Sequence, residues 1–180
     1  WGNRDKISEQ CWYGMALVDS LDFFSPTHPE VEHINEILRR VADGLVRWQD
    51  PQTGLWWQVT DQGDRAGNYL EGTASSMFVY VLAKGINRGY LPRERYEPAL
   101  LKAYAGLIRE LVRTEADGTI SLRQCCSVAG LGYTNSAGRA RDGSFEYYVS
   151  EPLIDNDLKG TGPFLLAGIG QEYIVSRAPS

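Results

Sequence analysis

Apolar positions recur at helical spacing along most of the chain. Trp12, Met15, Val18, Leu21 and Phe24 fall at intervals of three, which puts them on one helical face. The next segment repeats the signal with Val31, Ile34, Leu38, Val41, Leu45 and Trp48. Thr27 and Glu30 stand just before it at the spacing of a capping box. Asp50-Pro51-Gln52-Thr53-Gly54 predicts a turn. Leu55-Trp56-Trp57-Gln58-Val59 then predicts a short extended piece. A third helix is predicted over 70–84, where Leu70, Ala74, Met77, Phe78, Val81 and Leu82 share a face, with Gly85 placed to end it. After a turn marked by Gly89 and Pro92, a fourth helix carries Leu100, Leu101, Tyr104, Leu107, Ile108, Leu111 and Val112.

The character changes at Ala116-Asp117-Gly118. Residues 119–128 alternate and predict a strand or hairpin. Residues 130–144, rich in Gly, Arg and Ser, predict a long loop, and such loops are more often functional than idle. An apolar helix over 163–174 closes the chain. Antiparallel helix hairpins stacked side by side follow from this order, in one domain spanning 1–180.

Composition narrows the function. The 180 residues suffice for one domain with a real core. A net charge of −5 argues against a nucleic-acid partner or an anionic membrane surface. No apolar run is long enough to span a bilayer. Three cysteines (Cys11 and the adjacent Cys125 and Cys126) suit neither a disulfide framework nor a structural zinc site. His28 and His33 lack metal-site spacing, and no EF-hand pattern surrounds Asp155 and Asp157. No phosphate loop, dinucleotide fingerprint or serine nucleophile elbow is present, so neither a cofactor nor a metal is expected. The first residue is Trp1 with no signal-like segment after it, so a processed or truncated start is expected, in a cytoplasmic or periplasmic protein.

Five motifs, in order, carry a resemblance. They are Trp12-Tyr13-Gly14-Met15-Ala16-Leu17-Val18-Asp19; Gln52 through Val59; Asn68-Tyr69-Leu70-Glu71-Gly72-Thr73-Ala74-Ser75-Ser76-Met77-Phe78; Asp142-Gly143-Ser144-Phe145-Glu146-Tyr147-Tyr148; and Lys159-Gly160-Thr161-Gly162-Pro163-Phe164. Together they resemble the unsaturated rhamnogalacturonyl hydrolases, glycoside hydrolase family 105, from about Trp12 to the end of the chain. The resemblance implies an all-α, (α/α)6 six-hairpin toroid, of which this chain would form about the C-terminal half. It implies release of a 4,5-unsaturated galacturonyl residue from pectin-derived oligosaccharides, by protonation and hydration of the double bond. The partner would be an unsaturated uronic-acid oligosaccharide. The N-terminal half of the toroid, or another partner, would be needed to cover the apolar face. The family's catalytic Asp lies upstream of the matched region and is carried over to no residue here. The rival expectation is a non-catalytic carbohydrate-binding or scaffold relative that has lost that Asp.

Candidate substrate-binding residues come from these motifs. Trp12 matches a Trp in the family's WxRxxGW-type pattern, and suits either a sugar platform or a core position. Ser8 stands at the Arg offset of that pattern, and Arg4 is the nearby candidate for a forked contact to a carboxylate. Trp56 and Trp57 are neighbours in an extended segment, so they should face opposite ways, one inward and one toward a cleft. Glu71 is either a site residue or a stabilising charge at a helix start. Tyr147, with Glu146, Arg139, Arg141 and Asp142 nearby, suits a cleft wall or a structural hydrogen-bond network.

Overall fold

The computed structural model describes residues 8–134 and 138–175. Six helices carry it: α1 (Ser8–Ser20), α2 (Val31–Trp48), α3 (Gly72–Asn87), α4 (Arg93–Gly106), a one-turn α5 (Phe145–Tyr148) and α6 (Leu158–Val175). A 3-10 turn, Leu21–Phe23, extends α1, and a π-helical turn, Leu107–Leu111, extends α4. Two small antiparallel sheets complete the fold. In one, β1 (Val112–Thr114) pairs with β2 (Ile120–Leu122); in the other, β3 (Cys125–Cys126) pairs with β4 (Leu153–Ile154).

Helix α3 is the centre of the core. It is apolar or small at nearly every position, and residues from Gly72 to Ile86 are buried almost throughout. A helix without a polar face must be covered on all sides. Helix α1 covers one side, with Gly14 set against Val81, and α6 covers another. Helix α6 approaches closely because two of its positions lack a side chain. A Cβ at Gly160 would lie 2.7 Å from Cys125 Sγ, and one at Gly170 would lie 2.9 Å from Ala83 Cβ. Gly160 lies beside Thr73 and Gly170 beside Ala83, so α3 and α6 run parallel. Trp56, fully buried, stands edge-on to Phe78 at 5.2 Å and donates its Nε1–H to Leu45 O at 2.9 Å.

Several local expectations are corrected. The capping box before α2 does not form. Glu30 is the N-cap without a side-chain bond, and the Thr27 hydroxyl pairs instead with Ser25 Oγ at 2.9 Å. Short-range hydroxyl pairing has won over the helix end. Gly85 does not end α3, which runs on to Asn87; its bare Cα makes room for Leu91, whose Cδ1 would lie 2.6 Å from a Cβ there. Gly89, at φ +76°, makes the turn instead. Val112 leaves the helical face of α4 and starts β1, and the strand predicted over 119–128 divides into β2 and β3, which belong to different sheets.

The outer surface of α6 is also apolar. Leu158, Leu165 and Ile169 are largely exposed along one stripe, with Leu166 beside them. No helix among the described residues is long and apolar enough to cross a membrane.

A charged network ties α1 to α3 at the end away from their N-termini. Lys84 Nζ lies 2.6 Å from Asp19 Oδ1 and 2.9 Å from Asp22 Oδ2, and the Tyr80 hydroxyl donates to Asp19 at 2.6 Å. Its hydrogen bond from Lys84 holds the Asp22 carboxyl below the usual carboxylate range. A depressed carboxyl contributes stability above its unfolded pKa of about 4 and loses it as pH falls through the folded value. Lys84→Met should therefore lower the thermal midpoint at neutral pH. That deficit should shrink as pH drops below about 4. Melting curves of both proteins across pH check this; a deficit that stays constant with pH would contradict it.

Candidate functional site

Three parallel helix starts build the site. Their neighbouring residues line one cavity of about 130 Å³: Cys11 and Trp12 from α1, Glu71 and Thr73 from the start of α3, and Lys159 from the first turn of α6. Cys126, Val128 and Ala129, in and just after β3, close the remaining wall.

Glu71 shows why the wall stands where it does. It is the N-cap of α3, and its Oε2 accepts from Ala74 N. Its Oε1 accepts from Cys126 N at 2.8 Å, which ties β3 to the helix start. Burial pushes this carboxyl above its ordinary range, and the backbone N–H groups of Ala74, Cys126 and Thr73 oppose that rise. Gly72 makes the approach possible, since a Cβ there would lie 2.4 Å from Arg123 O. Burial also raises the cysteine thiols around the cavity. Cys126 is pushed up to about 11, and Cys11 is raised further, with the Glu71 charge adding to the effect. Neither environment favours a thiolate nucleophile.

Trp12 and Lys159 are among the exposed residues of the lining. Trp12 is 52% exposed although it belongs to a helix that packs on the core. Lys159 Nζ is held by Asp157, at 2.7 Å from Oδ1 and 2.8 Å from Oδ2. The same Asp157 Oδ1 accepts from Lys159 N at 2.9 Å, so the lysine is anchored at both ends of its side chain.

Of the residues expected from sequence, Trp12 and Glu71 are brought together here. Trp56 and Trp57 do face different surroundings. Trp56 is in the core, and Trp57 is half-buried, donating its Nε1–H to Asp50 Oδ1 at 3.2 Å. Neither lines the cavity. Tyr147 is fully buried in a second small cluster with Val59 and Tyr148, and its hydroxyl accepts from Gly130 N at 2.9 Å. Arg4 lies outside the described residues. Glu146 pairs with Arg65 on the surface, and the Arg139 guanidinium donates to Glu146 O at 2.6 Å. The Asp142 side chain accepts from Ser144 N at 2.9 Å within its own turn. Arg141 reaches inward to the buried Glu151, Nε to Oε1 at 3.2 Å. Lys159 and Cys126 were not among the expected site residues. Lys159 stood only within a matched motif, and nothing local places either one beside Trp12.

Among the described residues, no group of three or more His, Cys, Asp or Glu side chains could hold a metal ion. The described lining residues include one lysine, one exposed aromatic ring and one carboxyl group whose two oxygens already accept backbone N–H groups. Such a wall can stack and orient a sugar.

The family model of Glycosyl Hydrolase Family 88 matches residues 9–174. The chain is 38% identical, over 159 residues, to the 24.9 kDa protein in the picA locus of Rhizobium radiobacter, covering 87% of this chain and 66% of that protein. It is 29% identical over 94 residues to an unsaturated 3S-rhamnoglycuronyl hydrolase of Formosa agariphila, covering 52% of this chain and 24% of that one. Among solved structures, a glycoside hydrolase from family 105 of C. acetobutylicum ATCC 824 superposes with a TM-score of 0.85 at 43% identity, covering 92% of this chain and 45% of that chain. The fold is that of the (α/α)6 toroids, and the chain spans less than half the length of that solved relative.

Proposed function

The chain belongs to Glycosyl Hydrolase Family 88, and we propose that it forms part of a hydrolase that releases a 4,5-unsaturated galacturonyl residue from pectin-derived oligosaccharides. The observation that carries this reading is the cavity at the three helix starts, lined by the exposed Trp12 and by Lys159. A pyranose offers an apolar face to such a ring, and a uronate offers a negative charge to such a cation.

The chemistry of the substrate sets what remains to be supplied. Its terminal ring is an enol ether. Protonation of the double bond at C4, with addition of water at C5, gives a hemiketal that opens and releases the neighbouring sugar. One carboxyl group, acting first as acid and then as base, suffices when its pKa lies near the working pH. Among the described residues, Glu71 is the only carboxyl group in the cavity lining, and both its oxygens already accept backbone N–H groups. In this reading the described residues hold the sugar, and the proton donor comes from elsewhere in the toroid. The rest of the toroid is also what would cover the outward stripe of Leu158, Leu165 and Ile169.

The saturation of Glu71 also supports a second reading. A relative that keeps the sugar-holding wall without a proton donor would bind uronides and not cleave them.

An ultraviolet assay separates the two. The longest native form of the protein is incubated with an unsaturated galacturonyl-rhamnose disaccharide, and absorbance of the conjugated uronate is followed. Steady loss of absorbance supports hydrolysis. A flat trace with measurable binding supports the second reading, and a flat trace without binding sinks both. Trp12→Ala should weaken binding of that disaccharide by roughly threefold to tenfold, the worth of one aromatic contact. Its folding stability should change by no more than about 1 kcal/mol, because half of the side chain is already in water. Calorimetric titration and urea melts check both parts.

A further inference from the structure

We propose, resting on the uronide reading above, that Tyr147 is a positioning residue for the sugar cavity: its buried hydroxyl fixes the Val128–Ala129 wall through Gly130, and Glu151 orients that hydroxyl. Tyr147 does not line the cavity and acts only through the chain it holds.

The wall hangs between two anchors. Val128 and Ala129 line the cavity just after β3. Upstream the chain is tied on both sides. Cys126 N donates to Glu71 Oε1 at 2.8 Å, Cys126 pairs with Leu153 across β3 and β4, and Ser127 N donates to Pro152 O at 2.9 Å. Downstream, Gly130 N donates to the Tyr147 hydroxyl oxygen at 2.9 Å. Between these anchors, Cys126 Sγ reaches Val128 O at 3.5 Å, and a thiol is a weak donor. Close packing does not fix Gly130, since a Cβ there would meet nothing within 4 Å. Its hydrogen bond to Tyr147 therefore sets where the wall ends.

The hydroxyl is itself held in place. The Tyr147 ring is fully buried, with its centroid 4.8 Å from that of Tyr148. Ser144 Oγ accepts from Tyr147 N at 3.1 Å, which caps the one-turn α5 that carries the ring. A phenol has a single proton, and this oxygen already accepts from Gly130, so the proton needs an acceptor of its own. The neighbouring groups are Glu151 and Arg141. A guanidinium only donates, so the proton goes to the Glu151 carboxylate. Burial raises the Tyr147 hydroxyl above its ordinary range; the Gly130 N–H opposes that rise and the Glu151 charge adds to it. Arg141 Nε lies 3.2 Å from Glu151 Oε1, so the donors of Arg141 and Tyr147 converge on one carboxylate. Bonds in such a chain strengthen one another.

Loss of the hydroxyl should loosen the wall without unfolding the protein. Gly130 is half-buried, so its freed N–H can turn to water, but the segment then has no fixed position.

Tyr147→Phe tests this, because it keeps the ring and removes only the hydroxyl. Calorimetric titration of the longest native form with the unsaturated galacturonyl-rhamnose disaccharide should show binding roughly threefold to tenfold weaker, the scale of one hydrogen bond. NMR hydrogen exchange should show the Gly130 amide losing protection while the amides of α3 keep theirs. Val59→Ala separates positioning from stability. It thins the same cluster of Val59, Tyr147 and Tyr148 and leaves the polar chain intact. That variant should melt at a lower temperature and bind the disaccharide as wild type does. Tyr147→Phe binding like wild type, an unchanged Gly130 amide, or Val59→Ala losing as much affinity would overturn the positioning role and leave the uronide reading in place. Failure of wild type to bind the disaccharide would overturn both.

Discussion

Trp56→Ala should destabilise the fold by about 3–5 kcal/mol, the cost of emptying a large buried aromatic site. Trp56 has no exposed surface, packs edge-on against Phe78 and bonds Leu45 O. Truncation removes the ring from the junction of α2, α3 and the 55–59 segment, and it strands the Leu45 carbonyl. Neighbouring chain can collapse only partly into the space, because α3 is closely packed on several sides. Urea denaturation of the two proteins gives the difference directly. A loss below about 1 kcal/mol would mean that the site is not close-packed. The contrast with Trp12→Ala is informative, since the same substitution at an exposed cavity position should cost binding and spare stability.

Arg141→Met should cost a comparable amount, about 3–5 kcal/mol, through a different mechanism. Glu151 is 3% exposed, and Arg141 Nε is its ion-pair partner at 3.2 Å. The pair makes ionic contact without a well-aligned hydrogen bond, and the Tyr147 hydroxyl is another polar neighbour of Glu151. Removing the guanidinium leaves a buried charge uncompensated, which is far more costly than the net worth of the pair. The double variant Arg141→Met with Glu151→Gln should recover much of the loss, because the stranded charge is gone. Urea melts of wild type, the single variant and the double variant close the comparison. A double variant that is less stable than the single one would show that the charge is not the cause.

The helices were legible because their residues repeat at the period of the structure they form. The stripes from Val31 to Trp48 and from Leu100 to Leu111 are read off the chain without knowing their neighbours. Helix ends were less legible, because capping competes with other local bonds. Thr27 could serve either the start of α2 or Ser25, and the sequence is the same in both cases. Gly85 could end a helix or admit Leu91, and only the packing decides. The small sheets depend on long-range pairing, such as Cys126 with Leu153, which no local pattern encodes.

The cavity was half legible for the same reason. Trp12 and Glu71 stood out within motifs, and both line it. Trp56 and Tyr147 stood out equally, yet the structure places them in packed clusters. Aromatic residues mark cores and sugar platforms alike, and exposure, which separates them, is a tertiary property. Lys159 was marked only as the first residue of a matched motif. A lysine near a helix start looks like a solvated surface residue until α6 folds back beside α3.

The most direct test of the central claim follows the indole N–H signals of the protein by NMR. The unsaturated galacturonyl-rhamnose disaccharide is titrated in, with the Trp12 signal assigned through Trp12→Phe. The uronide reading predicts that the Trp12 indole signal moves with saturable dependence on the disaccharide while the core Trp56 signal stays. A Trp12 signal that does not respond while other indoles shift would place the sugar elsewhere and contradict the account.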